Sequence, residues 1–147
     1  MTDIVSKAKR SEMMSKRPTT GTRPEREVVR VLRRLHYRAE CNRRDLPGSP
    51  DVVLPSIRTV IFVHGCFWHY HRSATCTERP RPSIPDDNRA FWARKLLDNL
   101  ARDKRTVRKL RRLGWSVKTV WECQTKQGAE RLRRILRSKL ARRRTPR

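Results

Sequence analysis

Apolar and polar positions along the chain fall into short blocks that can be read one at a time. Residues 59–63, Thr-Val-Ile-Phe-Val, are β-branched and almost wholly apolar, the pattern of a strand buried on both faces. Asp51-Val52-Val53-Leu54 opens another strand, closed by Pro55 and Ser56, near enough to the first to form an antiparallel hairpin with it. Residues 115–121, WSVKTVW, read as a further strand, and residues 37–41 as a short one. Helical spacing fills the rest. Val28, Leu32 and Leu35 line one face of residues 22–36, and Thr22-Arg23-Pro24-Glu25 fits a capping box at its start. Phe91, Leu96, Leu100, Val107 and Leu110 mark a long helix, capped by Asn88, ending at Leu113 and stopped by Gly114. A last helix is predicted over 128–141, and a short amphipathic one over 6–16, ended by Pro18 and Gly21. Proline-bearing loops separate them at 42–50 and 77–87. The order α-α-β-β-β-α-β-α predicts an α/β (α+β) domain, a small mixed sheet flanked by helices.

A chain of 147 residues suits one such domain, divided into an arm at 1–21, a folded part at 22–141 and a basic tail at 142–147. No apolar run approaches the roughly 18 residues that cross a bilayer, and no apolar segment marks a secretory signal, which points to a cytoplasmic protein without a membrane partner. Thirty-eight Lys and Arg against 14 Asp and Glu give a net charge of +24. Such a charge concerns partners rather than fold, and nucleic acid is the first of them. Four cysteines in a cytoplasmic chain point to metal binding or inert thiols rather than disulfides.

The chemistry gathers just after the buried strand. His64, Cys66, His69, His71 and Cys76 fall within thirteen residues, with Phe67 and Trp68 among them. Cys66, His71 and Cys76, joined by Cys123 at the end of the last strand, compose a closed Cys3His set suited to structural zinc. The competing reading leaves Cys76 and Cys123 as unrelated thiols. His64 and His69 remain, and the hairpin places Asp51 beside them. Two imidazoles and a carboxylate suit metal-assisted hydrolysis of a phosphate, with a histidine moving the proton. Asp51 also reads as turn chemistry, and Glu25 as the capping partner of Thr22. Phe67, Trp68 and Trp92 are either core or platforms that stack on bases. Cys41 stands alone and is expected to be a small structural hydrophobe.

His64-Gly-Cys-Phe-Trp-His69 following VIFV resembles the signature of the very-short-patch repair (Vsr-type) DNA mismatch endonucleases. So do RSEMMSKRPTTGTRPE at 10–25, LPGSPDVVL at 46–54 and LGWSVKTVWEC at 113–123, in the same order. The resemblance implies a restriction-endonuclease-like core and magnesium-dependent nicking of one strand of double-stranded DNA at a T:G mismatch left by deaminated 5-methylcytosine. It implies a bacterial, nucleoid-associated monomer that works with other mismatch-repair proteins. It assigns Mg2+ to Asp51 and the Val63 carbonyl, proton transfer to His69, support to His64 and Glu25, and insertion into DNA to Phe67, Trp68, Trp92 and Met14. Zn2+ falls to Cys66, His71, Cys76 and Cys123. In familiar members one residue separates the zinc histidine from the next cysteine, whereas Arg72-Ser73-Ala74-Thr75 stand before Cys76 here. Either the loop is longer, or the third ligand is not Cys76. A non-catalytic zinc-stabilised DNA-binding module accounts for the charge and cysteines but leaves Asp51, His64 and His69 idle. A structural nucleic-acid protein accounts for the charge alone.

Overall fold

The computed structural model describes residues 20–71, 73, 76 and 88–141. The helix expected at 6–16, with Met14, the loop at 77–87 and the basic tail at 142–147 lie outside them. The elements are α1 (Arg23–Arg34), β1 (Glu40–Cys41), β2 (Val52–Leu54) with a 3-10 turn at Pro55–Ile57, and β3 (Thr59–His64). They continue with α2 (Arg89–Arg112), β4 (Ser116–Trp121), a one-turn helix α3 (Glu122–Thr125) and α4 (Ala129–Leu140).

The strands form one four-stranded mixed sheet in the order β1-β2-β3-β4. The β2–β3 hairpin is antiparallel, with Val52 opposite Ile61 and Leu54 opposite Thr59. β4 returns through α2 and lies parallel to β3, pairing Thr59 with Ser116 and His64 with Trp121. Alternation along the strands feeds two cores. Val52, Leu54, Ile61 and Val120 pack with Val28, Val31 and Leu32 of α1 and Leu132, Leu136 and Leu140 of α4. Val53, Val60 and Phe62 face the other way, onto Leu110 of α2. The central strand β3 is thus covered on both faces, and each fully buried Val, Ile or Leu contributes about 1.5–3 kcal/mol.

Two strands start later than the apolar pattern suggests, for one reason. α1 closes with His36 in the left-handed region (φ 64°) and the Tyr37 N–H bonded to Leu32 O at 3.0 Å. α2 closes in the same way, with Gly114 at φ 87° and the Trp115 N–H on Leu110 O at 3.0 Å. Both are six-to-one helix caps, so Tyr37 and Trp115 serve the preceding helix rather than the following strand. Asn88 does stand at the start of α2, but in the left-handed region and with no capping bond from its side chain. Cys41 is exposed rather than a buried hydrophobe, because β1 is an edge strand with both residues turned to solvent.

The loop before β2 docks on α2 at Gly48. Its φ is +72°, and a Cβ there would lie 2.3 Å from Thr106 Cγ2. Gly48→Ala is expected to cost roughly 1–3 kcal/mol in a denaturant titration, from overpacking and left-handed strain. Adding Thr106→Ala should restore the packing part; full wild-type stability of the Gly48→Ala single variant would refute this close approach.

Candidate active site

The hairpin register puts Asp51 next to the far end of β3. Asp51 Oδ2 accepts the Val63 N–H at 2.7 Å. Burial pushes this carboxyl up to about 6, against the opposing pull of the Val63 N–H, and the charge of Glu25 pushes the same way. Glu25 itself is 7% exposed and stands in the first turn of α1. Its N–H points at Thr22 Oγ1 at 3.5 Å, while its Oε2 accepts the Gly21 N–H at 2.9 Å. The capping box is therefore displaced by one residue on its carboxylate side, and Glu25 is at once a cap and a second carboxylate near Asp51.

His64 ends β3, and His69 follows on a tight turn. The turn is closed by the His69 N–H on Gly65 O at 3.2 Å and the His71 N–H on Cys66 O at 2.9 Å. The two imidazoles stack with centroids 3.7 Å apart and planes 4° apart. His69 Nδ1 lies 2.6 Å from Asp103 Oδ2, a carboxylate from the middle of α2. Burial disfavours the charge on Asp103, but the bond and charge of His69 outweigh it and hold the carboxyl below its usual range. Ionised Asp103 accepts, so Nδ1 of His69 carries the proton and Nε2 is left for chemistry. Burial, and next the neighbouring His69, push His64 down to about 4, so it is neutral at physiological pH. The ligand atoms of His64, His69 and Asp103 lie within 4.8 Å of one another.

Asp103 was not among the residues singled out from sequence, although a signal exists. The buried stripe of α2 runs through Trp92, Leu96 and Leu110, and Asp103 sits seven residues from both leucines, on the same face. The stripe read from sequence began one residue early, at Phe91, which the structure leaves 54% exposed. An acid on the apolar face of a basic helix was the clue.

A second cluster lies beyond the turn. Cys66, His71, Cys76 and Cys123 are all buried, and their ligand atoms lie within 4.8 Å of one another. Cys76 thus joins the group in spite of the longer loop, and Cys123 does so because β4 runs beside β3. Burial drives the Cys66 thiol far above its usual range, with the Cys123 thiol adding to it. Cysteine sulfurs gathered out of water around one imidazole are a donor set that fits a tetrahedral metal ion.

The aromatics predicted to meet DNA also come together. Phe67, Trp68 and Trp92 pack edge to face or tilted, with centroids 5.2 to 5.9 Å apart. Asn99 Nδ2 donates to Trp68 O at 3.0 Å, and Lys95 Nζ stands 5.4 Å from the Trp68 ring. Trp92 is the buried anchor, while Phe67 and Trp68 are half-buried beside the histidines.

The family model for the DNA mismatch endonuclease Vsr matches residues 2–75. The chain is 36% identical over 132 residues to the DNA mismatch endonuclease Vsr of Escherichia coli (strain K12), covering 90% of this chain and 80% of that one. The chain belongs to the Vsr family. It is also 41% identical over 139 residues to the type II nicking enzyme V.XorIIP of Xanthomonas oryzae pv. oryzae, covering 92% of this chain and 98% of that one. To the type II nicking enzyme V.NmeAIP of Neisseria meningitidis serogroup A it is 39% identical over 140 residues, covering 93% and 96%. As a Vsr-family protein it is a DNA endonuclease, and DNA is its substrate. No described helix is long and apolar enough to cross a membrane.

The raised Asp51 value fixes a sign. The folded chain holds this proton more tightly than the unfolded one, so stability without added divalent cation falls as pH rises from 3.8 to about 6. Asp51→Asn removes that loss. At pH 7 without magnesium it should be more stable than wild type by on the order of 2 kcal/mol, with the gain vanishing near pH 4. Urea midpoints at the two pH values check this; a variant less stable at pH 7 would contradict it.

Proposed function

We propose that this Vsr-family endonuclease nicks one strand of duplex DNA at a T:G mismatch, with magnesium, in very-short-patch repair of deaminated 5-methylcytosine. One observation carries the reading: a desolvated Asp51 carboxylate, with Glu25 near, sits beside the stacked His64–His69 pair at the end of a covered strand. Two acids held out of water repel each other. A divalent cation would relieve both, so the donor set fits one. Asp51 and the Val63 carbonyl would hold it, and when bound it would polarise the phosphate and lower the pKa of a water molecule.

The chain's own residues do the rest. Asp103 fixes the tautomer and direction of His69, whose Nε2 takes or gives a proton at the phosphodiester. Neutral His64 backs the His69 ring without adding a charge beside it. Phe67 and Trp68, anchored on Trp92 and Asn99, wedge into the stack beside the mismatch, where unstacking costs least. Met14, from the arm outside the described residues, enters from the minor groove. Cys66, His71, Cys76 and Cys123 would hold a structural zinc, which when bound would fix the turn bearing His69.

The test uses two labelled duplexes, one fully paired and one with a single T:G mismatch, with magnesium and with magnesium omitted; a chelator would reach both metal sites. A nick beside the mismatched T that needs magnesium is the expected product on a denaturing gel. Tight binding of both duplexes without a nick, over several flanking sequences, would refute the reading and favour a zinc-stabilised binding module.

A further inference from the structure

One ring joins the two clusters at the end of β3. Trp121 ends β4 and pairs in register with His64. A face of its indole lies on the His71 imidazole, centroids 4.0 Å apart and planes 7° apart. The same indole meets the His64 ring edge-on, at 5.5 Å and 71°. His64 stacks on His69, and His69 is bonded to Asp103. The contacts run without a break from His71 through Trp121, His64 and His69 to Asp103. Trp121 also packs against Cys66, Cys76 and Cys123. Its own backbone is held, with its N–H on Gln124 Oε1 at 2.9 Å.

From this continuity we infer that Trp121 is a positioning residue for nicking, which sets the orientation of the His64–His69 pair against the Cys/His cluster. The inference rests on the proton-transfer reading of His69 given above. Its reason is geometric. His69 rides on a short turn in which Tyr70 is left-handed, at φ 51°. A single bond to Asp103 fixes one nitrogen and leaves the ring free to pivot about that bond. The face of His64 removes the pivot, but His64 needs a fixed neighbour of its own. Phe62 lies 5.6 Å from it, tilted, and Trp121 meets it edge-on at 5.5 Å. Small departures from productive geometry at a reacting group are costly. A tryptophan stacked on one cluster and edge-on to the other is placed to prevent them.

The test compares Trp121→Leu and Trp121→Phe in full-length protein, in the wild-type background and in His69→Ala. Three quantities are read: bound zinc per chain, affinity for the T:G duplex with magnesium omitted, and the single-turnover nicking rate. The expected result is zinc and affinity within about twofold of wild type, with nicking slowed roughly tenfold in Trp121→Leu and largely restored in Trp121→Phe. In His69→Ala, adding Trp121→Leu should cost nothing more, because the geometry it protects is gone. Wild-type nicking by Trp121→Leu would overturn the inference. So would an equal loss in both backgrounds, or a rate that falls only in step with zinc content, since Trp121 would then merely support the cluster. If His69→Ala alone nicks at the wild-type rate, the proton-transfer reading falls first and takes the inference with it.

Discussion

The bond from the Val63 amide to the Asp51 carboxylate, 2.7 Å across the mouth of the β2–β3 hairpin, is where fold becomes site. It exists because the hairpin register sets Val52 against Ile61, which carries Asp51 just past the last strand pair. A slip of one residue would turn every side chain of β2 to the wrong face and remove the carboxylate from the histidines. That register is held by burial: Val52 and Leu54 enter one core and Val53 the other. Hydrophobic alternation therefore places the Asp51 carboxylate at the end of β3.

The same strand end sustains two unlike environments. One is a carboxylate and imidazole site, where Asp51 is costly to ionise and His64 costly to protonate. The other is a dry pocket of three thiols and His71. Two carboxylates held out of water repel each other when both are ionised, and three buried thiols around an imidazole are metal-ligand chemistry rather than ordinary core. A bound metal would suit each site differently, a hard ion the carboxylates and a thiol-tolerant one the cysteines. The helix α2 braces the first of them, lending Asp103 to His69 and Asn99 to the Trp68 carbonyl.

Much of this was legible in the chain. The covered strand and the hairpin follow from short β-branched runs and their connection length, and residues 115–121 read as a strand, although its parallel pairing with β3 comes from the structure. The clustering of Cys66, His71, Cys76 and Cys123 follows once the last strand is set beside β3. The strand starts at Tyr37 and Trp115 were not legible, because an apolar residue that closes a helix cap looks like the first residue of a strand. Cys41, expected as a small structural hydrophobe, is exposed, because composition does not tell an edge strand from a central one. Asp103 escaped because a stripe traced through its apolar members alone passes over a polar residue on the same face, seven residues from both Leu96 and Leu110. Residues that act through others, such as Asp103 and Asn99, leave the weakest trace in a motif.

If Asp51 holds the metal of the cutting step, its loss stops nicking and leaves DNA binding intact. This is tested most directly by measuring binding and nicking of a T:G duplex by Asp51→Asn side by side with wild type, in magnesium. Affinity and mismatch preference are expected within about twofold of wild type, with nicking reduced by roughly a thousandfold or more. Nicking at a rate near wild type would contradict this, and would move the metal site away from the end of β3.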